Sequence, residues 1–167
     1  HVDILINCAG INKIGLAEDV TVNEFLQIQR INVEIPFRLS KAVVVGMGSR
    51  QWGRIINITS IFGSVSKTRR VSYSTSKFAL YGMTKALALD YASSGVLINA
   101  VGPGVIETDH TRKVLGDNGM KKIISEIPVG RLGTTKEVAQ LVAFLASAAN
   151  TYLTGQQIIV DGGYTSA

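Results

Sequence analysis

Arg54–Ser60 reads RIINITS, Ser72–Ser93 reads SYSTSKFALYGMTKALALDYAS, and Val96–Val101 reads VLINAV before Gly102-Pro103-Gly104. The outer two runs are short and apolar with little alternation, as expected of strands covered on both faces. The middle run carries helical spacing, and Gly95 ends it. A strand, a helix and a strand in that order form a crossover, the connection that parallel neighbours require.

The same pattern extends both ways. Val2–Asn7 (VDILIN) is a further strand candidate that ends on Cys8-Ala9-Gly10. Thr21-Val22-Asn23-Glu24 is a capping box that opens a helical stretch towards Gly48. Thr134-Thr135-Lys136-Glu137 is a second box, leading a helix to about Ala148. Residues 105–133 are a long excursion, expected to be part helical. Gln157–Val160 (QIIV) is a last strand before Asp161-Gly162-Gly163. This alternation predicts an α/β fold, a doubly wound parallel sheet with helices on both faces, with residues 1–167 as one domain. Ligands of such sheets bind outside the carboxyl ends of the strands. Cys8–Asn12, Ser60–Gly63 and Gly102–Thr108 are therefore expected to share one crevice.

Composition narrows the class. The 167 residues are 46% hydrophobic and 17% charged, which argues against disorder. No apolar run of about 18 residues occurs, so no membrane span is expected. The net charge of +5 is spread along the chain and not interleaved with aromatics. It reads as a solvated surface rather than a nucleic-acid face. Cys8 is the single cysteine, which excludes an internal disulfide and a cysteine-built metal site. Its apolar neighbours make it a small buried residue by expectation. His1 and His110 do not make a metal site by themselves. The reading is of a soluble protein from a reducing compartment, the cytoplasm.

Tyr73 and Lys77 stand four residues apart, one above the other on a helix. A neighbouring ammonium favours the phenolate and lowers a phenol pKa from about 10. The pair then makes an acid/base suited to neutral pH, although a Tyr beside a solvated Lys is common on helix surfaces. Ser60 ends a strand at the expected crevice, where its hydroxyl would donate to a substrate carbonyl oxygen; a turn-forming serine is the plainer reading. Pro36 lacks an N–H and lies four residues after Asn32, whose carbonyl then loses its helical donor. That carbonyl is free to accept from a water that reaches Lys77. The alternative is that Pro36 merely starts a second helix. Both readings place a kink there.

At this point the sequence resembles the short-chain dehydrogenase/reductase family. The matching pieces are Asn7-Cys8-Ala9-Gly10, Asn32, Ser60, Tyr73-x-x-x-Lys77, Pro103-Gly104 with Ile106 and Thr108, and Asp161-Gly162-Gly163. The resemblance implies a Rossmann-type fold and oxidoreduction between an alcohol and a ketone with NAD or NADP. It implies Tyr73 as acid/base, Ser60 as orienter of the substrate oxygen, Lys77 as tuner of the phenol and ribose ligand, and Asn32 as water holder. It implies that Asn7, Ala9 and Gly10 lie along the adenosine half of the cofactor. Pro103, Gly104, Ile106 and Thr108 belong to the cofactor set, with Ile106 and Thr108 on the nicotinamide carboxamide. A homo-oligomer, dimer or tetramer, is implied too.

Two departures accompany the likeness. Cys8 stands where the family often has a second Asn. The family's first strands and Gly-rich phosphate loop have no counterpart here, so the chain reads as the carboxyl-terminal two-thirds of a domain. A catalytically silent fragment that acts only as an interaction surface is therefore the alternative to a sugar-alcohol or 3-oxoacyl oxidoreductase. Lys67, Thr68, Arg69 and Arg70, just before Tyr73, raise the possibility of an acidic or carrier-linked substrate. A solvated basic loop is the plainer reading.

Overall fold

Ile55 and Ile56 are consecutive, and both are fully buried. Successive strand side chains point to opposite faces, so this strand is covered on both sides. The computed structural model describes residues 1–166, the side chain of His110 excepted. Its elements are β1 (Ile4–Asn7), α1 (Val22–Gln29), α2 (Ile35–Ser49), β2 (Gly53–Ile58), α3 (Val71–Tyr91), β3 (Val96–Pro103), α4 (Asp109–Ser125), α5 (Thr135–Ala146) and β4 (Gln157–Val160). The sheet runs β1-β2-β3-β4 with every pair parallel.

Each face has its own core. On one, Val44 and Met47 of α2 and Ala88 of α3 pack on Ile55, Val96 and Ile98. On the other, Leu145 and Ala146 of α5 pack on Ile56 and Val101. Burying each such isoleucine contributes about 2 kcal/mol. The α/β parallel-sheet expectation therefore holds, with β1 as an edge strand whose Ile4 and Ile6 stay exposed.

Strand ends are set by partners. β3 runs past Val101 through Gly102 and Pro103, because these residues face Ile159 and Val160 of β4. β2 stops at Ile58, and Ser60 instead caps a short 3-10 turn over Ile61–Gly63. The capping boxes at Thr21–Glu24 and Thr134–Glu137 both form and start α1 and α5. The excursion contains α4, which bends at Gly116, where φ is 59° and ψ is 177°.

The kink expected near Pro36 is a widened turn instead. Arg30–Glu34 forms a π-helical turn between α1 and α2, and the Ile35 N–H donates to the Arg30 carbonyl five residues back. Pro36 falls in the first turn of α2, where a missing N–H costs least. The extra residue per turn lets the chain stay helical past the proline.

Candidate active site

The three strand-end segments do converge. Cys8, Gly10, Ile11 and Asn12 after β1, Thr59 and Ser60 after β2, and Pro103 and Gly104 at the end of β3 line one cavity of about 610 Å³. α3 adds Tyr73 and Lys77, and α4 adds Val114 from above. Cys8 is thus not the buried residue its apolar neighbours predict. It is exposed, because β1 has ended and the chain turns along the mouth of the cavity.

Asn32 is fully buried on the π turn. Its Oδ1 accepts from the Ile11 N–H at 2.9 Å, and its Nδ2 donates to the Ile11 carbonyl at 2.9 Å. The same Nδ2 donates to Ser76 Oγ at 2.9 Å. The carboxamide therefore ties the loop after β1 to α3. Gly10 sits against this tie: a Cβ there would come within 3.3 Å of Asn32 Oδ1 and 3.4 Å of Lys77 Nζ.

Tyr73 and Lys77 share a face of α3 as their spacing requires. Lys77 Nζ lies 5.5 Å from the Tyr73 ring centroid and donates to the Ile58 carbonyl at 2.9 Å. Burial holds the Lys77 ammonium down to about 8, with charge on the nearby Cys8 sulfur acting the other way. Ser60 Oγ accepts from the Phe62 N–H at 3.2 Å, which leaves its own proton free to donate into the cavity.

The phenol departs from expectation in direction. Burial pushes the Tyr73 pKa up, against the opposing pulls of the Ser60 hydroxyl and the Arg70 guanidinium. Desolvation disfavours the phenolate, and it outweighs the nearby charges here. The Arg70 guanidinium, three residues before the phenol, is one of the groups that oppose this rise.

Other expected residues are placed elsewhere. Asn7 is buried as the last residue of β1, where its Nδ2 donates to Oδ1 of its β2 neighbour Asn57 at 2.8 Å. It does not line the cavity. Ala9 is exposed between two lining residues. Ile106 borders an adjoining apolar cavity of about 470 Å³ with Ile6, Val138 and Val142. Thr108 caps α4, its hydroxyl accepting from the Thr111 N–H at 3.1 Å.

Sequence reasoning missed Thr59, Val114, Ser76 and the Ile58 carbonyl. Ser76 was open to discovery, since it lies three residues after Tyr73 and so shares its helix face. The Ile58 carbonyl carries no sequence signal at all. Among the described residues, no group of His, Cys, Asp and Glu is arranged to hold a metal. No described helix is long and apolar enough to cross a membrane.

Comparison with known proteins gives a consistent answer. The family described as enoyl-(acyl carrier protein) reductase matches residues 1–165. A 3-oxoacyl-[acyl-carrier-protein] reductase of Vibrio cholerae is 43% identical over 162 residues, which is 97% of this chain and 66% of that protein. The chain thus spans about two-thirds of the length of such relatives. Among solved structures, a gluconate 5-dehydrogenase from Burkholderia cenocepacia in complex with NADP and tartrate is 33% identical with a TM-score of 0.94. It covers 99% of this chain, which covers 65% of it. A 4-hydroxyisoleucine dehydrogenase mutant complexed with NADH and succinate is 31% identical, with a TM-score of 0.94 over 99% of this chain and 69% of its own.

Proposed function

The chain belongs to the short-chain dehydrogenase/reductase family, and from that membership we propose that it forms the catalytic part of a nicotinamide-dependent oxidoreductase. The reaction interconverts an alcohol and a ketone. The observation that carries this reading is the meeting of Tyr73, Lys77 and Ser60 on one cavity at the strand ends.

The site fits the nicotinamide end of NAD or NADP. Its volume lies within the roughly 300–1,000 Å³ of small-molecule sites. Lys77 is positioned to donate to ribose hydroxyls, Pro103 and Gly104 to bound the ring, and Gly10 to lie towards the adenosine half. When bound, the cofactor supplies or accepts the hydride. Similar proteins are described as binding NADP or NADH, which supports this assignment.

In the reductive direction, Ser60 donates a hydrogen bond to the carbonyl oxygen. Tyr73 gives that oxygen its phenolic proton as the carbon is reduced. The raised phenol pKa keeps Tyr73 protonated and ready to donate at neutral pH. Lys77, still largely an ammonium at that pH, stabilises the phenolate left behind. Asn32 acts as a positioning residue, holding Ile11 and with it the loop that frames the cavity.

The test is Tyr73→Phe in the full-length protein, followed by oxidation of reduced nicotinamide cofactor with a panel of ketones. The expected loss of kcat is about 10²–10⁴-fold, with cofactor binding by fluorescence retained. Undiminished turnover by the variant would overturn the assignment.

A further inference from the structure

Two guanidinium groups of this chain are withdrawn from water, and they are treated differently. Arg54 stacks 4.6 Å from the Trp52 ring centroid. It donates to the carbonyls of Gly53 at 2.8 Å and Asn150 at 2.9 Å, and to those of Ser147 and Gly95 at 3.4 Å. Arg70 is half-buried and stacks 5.2 Å from the Phe62 ring centroid. Among the described residues, its side chain has no hydrogen-bond acceptor and no carboxylate within 4 Å. Withdrawing a cation from water without a partner is costly.

Arg70 also borders a cavity of about 390 Å³ next to the one that holds Tyr73. Its lining mixes apolar Phe62, Val114 and Ile123 with polar Lys67, Arg69 and Tyr164. Val114 is common to both cavities, so the two spaces are neighbours. The Phe62 ring lies edge-on to Tyr73 with centroids 6.3 Å apart, so it carries the guanidinium beside the phenol.

The other basic residues of this loop border the same cavity but are held differently. Lys67 pairs with Glu126 at 3.6 Å. Arg69 is exposed, has a φ of 66°, and uses its carbonyl to accept from the Gly15 N–H at 3.2 Å. Arg70 alone of the three is half-buried beside Phe62 without an anion.

We infer that Arg70 is the specificity-determining residue for substrate, and that it receives a carboxylate. Arg70 precedes α3 as its N-cap, and its guanidinium lies over the Phe62 ring that meets Tyr73 edge-on. The acid group therefore sits beside Phe62, in the cavity adjoining the one that holds Tyr73. This selects short-chain oxo and hydroxy acids, and disfavours a thioester on a carrier protein, whose carbonyl end bears no charge. The apolar part of the wall, with Phe62 and Val114, accommodates the few carbons between the two ends. A bidentate guanidinium–carboxylate pair supplies the orientation. This inference rests on the oxidoreductase reading for the reaction, but not for the anion site itself.

The experiment uses the full-length protein with reduced nicotinamide cofactor and a panel of short oxo acids, each paired with its methyl ester. The wild type should favour the acid. In Arg70→Gln the acid-to-ester ratio of kcat/KM should fall at least tenfold, chiefly through KM for the acid, with Arg70→Lys in between. An equal ratio in wild type and Arg70→Gln would overturn the inference. Succinate binding by calorimetry reads the same site without turnover, and Arg70→Gln should weaken it at least tenfold. No turnover of any carbonyl, with Arg70-dependent succinate binding, would overturn the oxidoreductase reading and sustain the anion site. Succinate binding that is absent, or indifferent to Arg70, would sink the anion site.

Discussion

Asn32 grips Ile11 with both ends of its carboxamide, accepting from the N–H and donating to the carbonyl at 2.9 Å each. The two residues are 21 apart in sequence, and the grip fixes the loop that follows β1. Asn32→Ala leaves these groups and Ser76 Oγ short of partners. A buried polar group left unmade costs about 1–3 kcal/mol. The variant should lose stability in that range in chemical denaturation, and cofactor binding should weaken with it. Stability within about 0.3 kcal/mol of wild type would show that water replaces the grip.

Lys77 makes stability depend on alkaline pH. Burial lowers its pKa from 10.5 to about 8. Between those values the unfolded chain holds a proton that the folded chain has released, so stability rises with pH. The relief amounts to at most about 3 kcal/mol. Lys77→Met has no such dependence. The Tm of wild type relative to this variant should therefore climb from pH 7 to pH 10; a constant difference would exclude a buried, strained ammonium.

The acid limb rests on the two capping boxes. Lys13 and Thr21 hold the Glu24 carboxyl down at about 2, and Arg131 and Thr134 do the same for Glu137. Depressed carboxyl values stabilise the fold above the unfolded value near 4.5, and that stability is lost as pH falls towards 2. Glu24→Gln and Glu137→Gln should each lower Tm at pH 7 and converge with wild type near pH 2. Thr134→Ala should cost about 1 kcal/mol at neutral pH through the lost cap.

Gly95 connects α3 to β3 with a φ of 74°. A Cβ there would collide with the backbone carbonyl of Gln51. Neither backbone is free to yield, so Gly95→Ala should cost about 2–3 kcal/mol, in the range of overpacked sites. Urea denaturation checks this. An unaffected midpoint would mean that the turn after α3 relaxes.

Cys8 is exposed on the rim of the Tyr73 cavity. Alkylation by iodoacetamide should therefore proceed in the folded protein and abolish cofactor binding, and prior saturation with cofactor should protect the thiol. Equal labelling rates with and without cofactor would place the ligand elsewhere.

The sheet was readable because its strands are apolar without alternation, a pattern that survives ignorance of the neighbours. Their ends were not, since whether Gly102 and Pro103 extend β3 depends on β4 lying alongside. Tyr73, Lys77 and Ser60 could be found by spacing within or next to single elements. The grip of Asn32 on Ile11 could not, because it joins segments that meet only in the fold. The direction of the phenol's shift is not legible in the sequence for a related reason. Proximity of charge is visible in a helix pattern, whereas burial is a property of everything packed around it.

The π-helical turn at Arg30–Glu34 has a further consequence for how this segment tolerates insertions and deletions. Each helical residue rotates the chain by about 100°. Excising one residue from the turn would restore a regular helix only by swinging α1 round its axis, carrying buried Ile28 towards solvent and unseating Asn32 from its partner. Length here is thus as strictly constrained as residue identity, although the segment looks like ordinary amphipathic helix.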